Sequence, residues 1–271
     1  MGYQELERSE INIARKKMTK KIIIGNWKMN PLTGKEAEKW FASIAKLVKR
    51  IKNTDIVICA PFIYLEKLKK ISRKVALGAQ DAFWGDVGPF TGEISPEMLY
   101  NIGVRYVILG HSERRAMGES SIEINKKIKS ALASGLVPIV CIGEKERDLN
   151  HEYFRIVKTQ IHECLKGIPK DSISKITIAY EPVWSLSSTL NRRDATANDS
   201  REMAVFIRKT LSDISSPDIA SKTRVIYGGS ANERDAEEFL QNGGVDGLLP
   251  GKASLDPKKF SEIVKIAEGI K

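Results

Sequence analysis

From Lys21 onward the chain alternates short apolar runs with longer amphipathic segments. The runs at residues 22–24, 56–59, 75–79, 104–109, 136–141, 176–180, 224–227 and 245–249 are rich in Val, Ile and Leu, and each has the length of a strand buried on both faces. Helical patterns lie between them, near 34–50, 64–71, 96–102, 121–134, 152–165, 200–212, 233–241 and 257–270. In the first of these, Ala37, Trp40, Phe41, Ile44, Ala45 and Val48 recur at i, i+3, i+4, i+7, i+8 and i+11, the stripe of a helix packed on one side. Doubly buried strands that alternate with helices make parallel βαβ units. Eight such units predict an α/β protein closed into a (β/α)8 barrel, a single domain over residues 21–271. An open doubly wound sheet is the competing architecture. It wants a Gly-x-Gly-x-x-Gly after the first strand, which Gly25-Asn26-Trp27-Lys28 does not supply.

Residues 1–20 read differently. Glu5, Glu7 and Glu10 stand among Arg8, Arg15, Lys16 and Lys17, with no apolar core for a secretory signal and too many acids for a transit peptide. A loosely attached N-terminal extension is expected there, and translation from Met1 or from Met18 both fit.

Composition narrows the partners. No apolar run approaches the roughly 18 residues of a membrane span, so no membrane partner is expected. Lys+Arg number 44 against Asp+Glu 34, a formal charge of +10 that raises the question of nucleic acid. The excess is spread over helix faces such as Lys46/Lys49/Arg50 and Lys67/Lys69/Lys70, without interleaved aromatics, which predicts solvated faces and no nucleic-acid partner. Cys59, Cys141 and Cys164 are odd in number and far apart, the pattern of buried thiols in a reducing, cytoplasmic compartment.

In a barrel of this kind the functional groups sit where strands end and the following loops begin. The first strand ends in Gly25-Asn26-Trp27-Lys28, the fourth in Gly110-His111-Ser112-Glu113-Arg114-Arg115, and the sixth in Glu181, where Pro182 lacks the N–H to continue the ladder. The seventh ends in Gly228-Gly229-Ser230 and the eighth in Pro250-Gly251-Lys252. Singly, each has an ordinary reading: a wet turn acid, a surface lysine, a structural imidazole, a plain glycine turn. Their joint arrival at one rim predicts a site. A carboxylate base beside a hydrogen-bonding electrophile is equipped to move a proton on carbon next to a carbonyl. Glycine turns after strands seven and eight are where such barrels hold a phosphate. A small phosphorylated carbonyl compound is therefore the expected substrate, with Glu113 the expected ion-pair partner of Lys28. No cofactor or metal is called for. Gly251-Lys252 lacks the leading glycine and trailing Ser/Thr of a P-loop, and His162-Glu163-Cys164 are adjacent on a helix and diverge.

Five motifs, Gly25-Asn26-Trp27-Lys28-Met29-Asn30, Gly110 to Arg115, Ala179 to Trp184, Tyr227 to Ser230, and Asp246-Gly247 with Gly251 and Ala253-Ser254-Leu255, resemble the signatures of the triosephosphate isomerase family in that family's order. The resemblance implies the TIM-barrel fold and an isomerase that interconverts dihydroxyacetone phosphate and D-glyceraldehyde 3-phosphate, two intermediates of glycolysis and gluconeogenesis. It implies that Glu181 is the catalytic base, that His111 is a neutral imidazole at a helix N-terminus donating to the enediolate, that Lys28 supplies positive charge, and that Asn26 orients a substrate oxygen. The phosphate would lie against backbone N–H groups around Ser230, Gly251 and Lys252, together with the loop after the sixth strand. Gln80 and the stretch from Gly88 to Glu93, with Thr91 near its tip, resemble the segment that reaches into a neighbouring subunit, so a homodimer is implied.

Three departures accompany the resemblance. The loop from Ser185 to Arg193 lacks the family's Gly-x-Gly and is about three positions longer, with Ser187 expected in the first glycine's place; those glycines serve lid closure. Pro250 replaces an apolar residue that has an N–H, and Lys252 stands where glycine is common. The altered lid motivates an alternative reading, a catalytically silent phosphate-binding barrel of the same fold.

Overall fold

The computed structural model describes residues 20–186 and 193–270. The expected N-terminal extension, apart from Lys20, and the candidate Ser187 lie outside the described residues. Eight strands form a closed parallel barrel in sequence order: β1 (Lys21–Asn26), β2 (Thr54–Cys59), β3 (Ala76–Ala79), β4 (Tyr106–Leu109), β5 (Val137–Ile142), β6 (Thr177–Tyr180), β7 (Arg224–Tyr227) and β8 (Gly247–Leu248). Closure is made by β1 against β8, with Ile22 opposite Gly247 and Ile23 opposite Leu248.

The surrounding helices are α1 (Gly34–Leu47), α2 (Phe62–Lys69), α3 (Pro96–Asn101), α4 (Ser112–Ala116), α5 (Ser121–Ala133), α6 (Glu152–Leu165), α7 (Lys170–Ile173), α8 (Ala197–Ile214), α9 (Pro217–Lys222), α10 (Ala236–Asn242) and α11 (Pro257–Gly269). Helices α4, α7 and α9, of four to six residues, were not expected from the sequence; of the elements this short, only α3 was. The longer ones follow the pattern. In α1, Ala37, Phe41 and Ile44 are buried, Thr33 caps the N-terminus by accepting from the Glu36 N–H, and Trp40 meets Trp27 edge-on at 5.6 Å. Helices α5 and α8 open with capping boxes, Ser120 with Glu123 and Thr196 with Asp199, each worth about 1 kcal/mol.

Because side chains alternate along a strand, the barrel has two cores. Ile22, Ile24, Val57, Cys59, Ile108, Ile139, Cys141, Ala179, Ile226 and Leu249 pack together in its interior. Their sequence neighbours, such as Ile23, Ile58, Val107, Val140, Ile178 and Val225, pack outward against the helices. That alternation positions the site. Two residues beyond Ile24, Ile108, Cys141, Ala179 and Ile226 come Asn26, Gly110, Gly143, Glu181 and Gly228, an amide, a carboxylate and three glycines at the C-terminal ends of the strands. Of the three glycines, Gly228 lies against the Glu181 side chain, and Gly143 lies against the Glu181 backbone, where a Cβ would have no room.

Candidate active site

Asn26 is buried, and its Oδ1 accepts the Lys28 N–H at 2.9 Å. Its Nδ2 donates to no described protein group and faces the cavity. Lys28 has φ +52, a left-handed conformation that costs a non-glycine residue roughly 1 kcal/mol. The Asn26 bond and the Gln80 Nε2, which donates to the Lys28 carbonyl at 2.8 Å, hold it there. The ammonium of Lys28 pairs with Glu113 at 2.6 Å, so its charge is fixed in direction while both side chains stay partly in water.

His111 caps α4. Its Nδ1 accepts the Glu113 N–H at 3.2 Å, whereas the Glu113 Oε2 lies 3.7 Å away, beyond hydrogen-bond reach. A nitrogen that accepts carries no proton, so the ring hydrogen sits on Nε2. This nitrogen lies 3.1 Å from Glu181 Oε1.

Glu181 is 2% exposed, and its Oε2 accepts the Ser112 N–H at 2.8 Å, the first amide of α4. Its Oε1 touches His111 but is not aligned for a hydrogen bond, and remains a buried acceptor without a hydrogen-bond partner. No lysine or arginine among the described residues forms an ion pair with it. The Cys141 thiol abuts the same carboxylate. Burial first, and then the Glu181 charge, push that thiol well above its ordinary range, so it stays protonated and adds no second anion.

Asn26, Lys28, His111, Ser230, Gly251 and Lys252 line one cavity of about 660 Å³, together with Leu186, Gly229, Asn232, Arg234 and Lys259. Glu181 does not share that wall. Drawn onto α4, it faces a neighbouring cavity of about 590 Å³ with Ser112, Cys141 and Gly143, and His111 stands between the two spaces. Ser230 donates its hydroxyl to the Ser185 carbonyl at 3.0 Å, tying the seventh loop to the sixth. Among the described residues no group of three His, Cys, Asp or Glu side chains is placed to hold a metal ion, and no helix is long and apolar enough to cross a membrane.

Sequence reasoning missed the cluster beneath the start of the sixth loop. Glu144, fully buried, accepts from the Tyr180 hydroxyl (2.8 Å), the Trp184 Nε1 (2.7 Å) and the Arg147 Nε (3.0 Å). The strand-end rule applied to β5 points to it, since it follows Ile142 by two positions. The role of Ser112 carried no such signal, because its contribution is a backbone N–H.

The comparisons agree with this geometry. The family model described as triosephosphate isomerase matches residues 21–267. The triosephosphate isomerase of Dictyoglomus thermophilum is 43% identical over 255 residues, covering 92% of this chain and all of that one. That of Aquifex aeolicus is 42% identical over 249 residues, covering 90% of this chain and 98% of that one. A crystal structure of triosephosphate isomerase from Bartonella henselae superposes with a TM-score of 0.81 at 33% identity, covering 91% of this chain and 98% of that chain. With a closed barrel of eight strands and a carboxylate, an imidazole, an ammonium and an amide gathered at its C-terminal rim, the chain belongs to the triosephosphate isomerase family.

Proposed function

We propose that this isomerase interconverts dihydroxyacetone phosphate and D-glyceraldehyde 3-phosphate by carrying one proton between adjacent carbons on Glu181. The observation that carries the reading is Glu181 Oε1: buried, paired with no cation, without a hydrogen-bond partner, and 3.1 Å from the Nε2–H of His111. A carboxylate in that state can accept a proton from carbon. The Nε2–H can donate to the oxygen on which negative charge develops, which is where a preformed donor lowers the barrier. In the described arrangement the carboxylate rests on the Ser112 amide, so it turns from α4 toward the larger cavity to reach a substrate carbon. Asn26 Nδ2 orients a substrate oxygen, and the Lys28 ammonium, aimed by Glu113, supports the enediolate charge. Backbone N–H groups around Ser230, Gly251 and Lys252 hold the phosphate at the glycine turns after β7 and β8, which leaves the Lys252 side chain free to point elsewhere. The reaction needs no redox change, since the proton taken from one carbon is returned to its neighbour.

A coupled assay with D-glyceraldehyde 3-phosphate tests the assignment. Glu181→Gln keeps the shape and removes the base, and turnover is expected to fall roughly 10²- to 10⁴-fold, with deuterium from heavy water entering the wild-type product. A folded wild-type chain that binds phosphate analogues without turnover would instead make it a silent barrel.

The same reading includes a homodimer. Residues 86–93 after β3 are all exposed, and the base of this projection is closed by the Phe83 N–H on the Ile94 carbonyl at 2.9 Å. Val87 and Phe90 on it are exposed, as are Met29, Leu32, Ile63 and Met98 at other loop and helix positions, and a second copy would cover apolar side chains of this kind. Three buried free thiols support a reducing, cytoplasmic location.

A further inference from the structure

The larger cavity exceeds what its substrate needs. Even at the roughly 30 Å³ that liquid water occupies per non-hydrogen atom, the ten such atoms of a triose phosphate fill under half of it. The remaining wall is charged. Lys28, Arg234, Lys252 and Lys259 line the cavity, against the carboxylates of Glu233 and Asp256. Two of these cations are already answered, Lys28 by Glu113 at 2.6 Å and Lys259 by Glu233 at 3.2 Å. Asp256 is engaged at the start of α11, accepting the Lys258 N–H at 2.8 Å. Lys252 and Arg234 are exposed and form no close ion pair among the described residues, although the Arg234 charge acts through space on the Glu233 carboxyl beside it.

Both unanswered cations project from backbone that is tied down. Lys252 opens a 3-10 turn, Lys252–Leu255, in which the Ser254 hydroxyl donates to the Gly251 carbonyl at 2.6 Å and contacts the Asn26 carbonyl at 3.1 Å. Arg234 follows a turn in which its own N–H donates to Asn232 Oδ1 at 2.8 Å, while the Asn232 side chain is held by Asp235 at 2.6 Å. Fixed backbones with exposed cationic tips suit an anion that arrives from solution, because little but side-chain entropy is lost on binding.

We propose that Lys252 and Arg234 form a second anion subsite at the outer end of the substrate cavity, which lets the enzyme bind small bisphosphorylated compounds. One phosphate lies at Ser230 and Gly251, the other between the two cations. The proposal rests on the reading of Ser230 and Gly251 as the primary phosphate holders. A ligand that bridges both ends occupies the substrate's place and is therefore a competitive inhibitor. Since both cations are exposed, salt weakens the second contact, and the advantage of a bisphosphate shrinks as ionic strength rises.

Steady-state inhibition tests this with a series of straight-chain alkanediol bisphosphates, each beside the alkyl monophosphate of equal length. At low ionic strength the best bisphosphate is expected to inhibit wild-type enzyme roughly five- to tenfold more tightly than its monophosphate, the scale of one or two solvated charge pairs. In Arg234→Ala, and separately in Lys252→Gln, that ratio moves toward one. A wild-type ratio near one throughout the series, or a ratio that neither variant alters, overturns the second subsite. Failure of the monophosphates themselves to compete with substrate would remove the primary phosphate reading, and the inference with it.

Discussion

At the scale of single residues the site depends on what is left out. A Cβ on Gly228 would lie 2.9 Å from Glu181 Cγ and 3.3 Å from the Tyr180 carbonyl, closer than that side chain can accept without moving. Gly228→Ala is therefore expected to shift the carboxylate by a few tenths of an ångström to an ångström and to lower kcat by about tenfold to a hundredfold. The melting temperature should change little, and KM less than kcat; a variant that keeps wild-type kcat would show that the carboxylate has slack at this position. Asn26, Lys28, His111 and Glu181 were all legible from the strand-end rule, because polar residues that interrupt an apolar run stand out. The direction of the His111 proton was not legible. It follows from the Glu113 amide meeting Nδ1, a contact that exists only once α4 has formed.

At the scale of elements, alternation along β1 and β6 decides that Asn26 and Glu181 point inward, and the first amides of α4 decide where the carboxylate and the imidazole rest. The opposite end of the barrel shows the same economy. Glu268 on α11 accepts the N–H groups of Lys52 and Asn53 at 2.8 and 2.9 Å and the Thr54 hydroxyl at 2.9 Å, gripping the connection from α1 to β2. Desolvation pulls its carboxyl upward, but the two amides and the hydroxyl outweigh it and hold the group below its ordinary value of 4.5. A carboxyl depressed on folding stabilises the native state fully above its unfolded value, and the contribution is lost as pH falls through the folded one. Glu268→Gln is expected to cost about 1 kcal/mol at neutral pH, near the low end for charge-assisted bonds because the group is solvated. Urea unfolding of the two proteins measures the gap, which should close in acid below the folded value. A gap independent of pH would mean that packing, not charge, joins these elements.

At the scale of the whole molecule, the exposed apolar side chains within residues 86–93 predict association. Sedimentation of the wild-type chain is expected to give twice the chain mass, and Val87→Asp, at a position 86% exposed and free of core contacts, should shift it toward monomer. A wild-type monomer at micromolar concentration would refute the dimer. The barrel itself was legible before any coordinates: strand and helix periodicities are properties of neighbouring residues, and eight alternations leave few ways to bury every strand on both faces. Short α4, α7 and α9 escaped because one to two helical turns carry little apolar periodicity, and only α3 among elements of that length was expected. By itself the sequence determined the order of elements and the chemistry available at the strand ends. Only the tertiary structure decided that Glu181 rests on the Ser112 amide facing a second cavity, that Glu144 gathers Tyr180, Trp184 and Arg147 beneath the sixth loop, and that Lys252 and Arg234 share a wall. Each of these joins residues far apart in the chain, or a side chain to a backbone amide, and periodicity is blind to both.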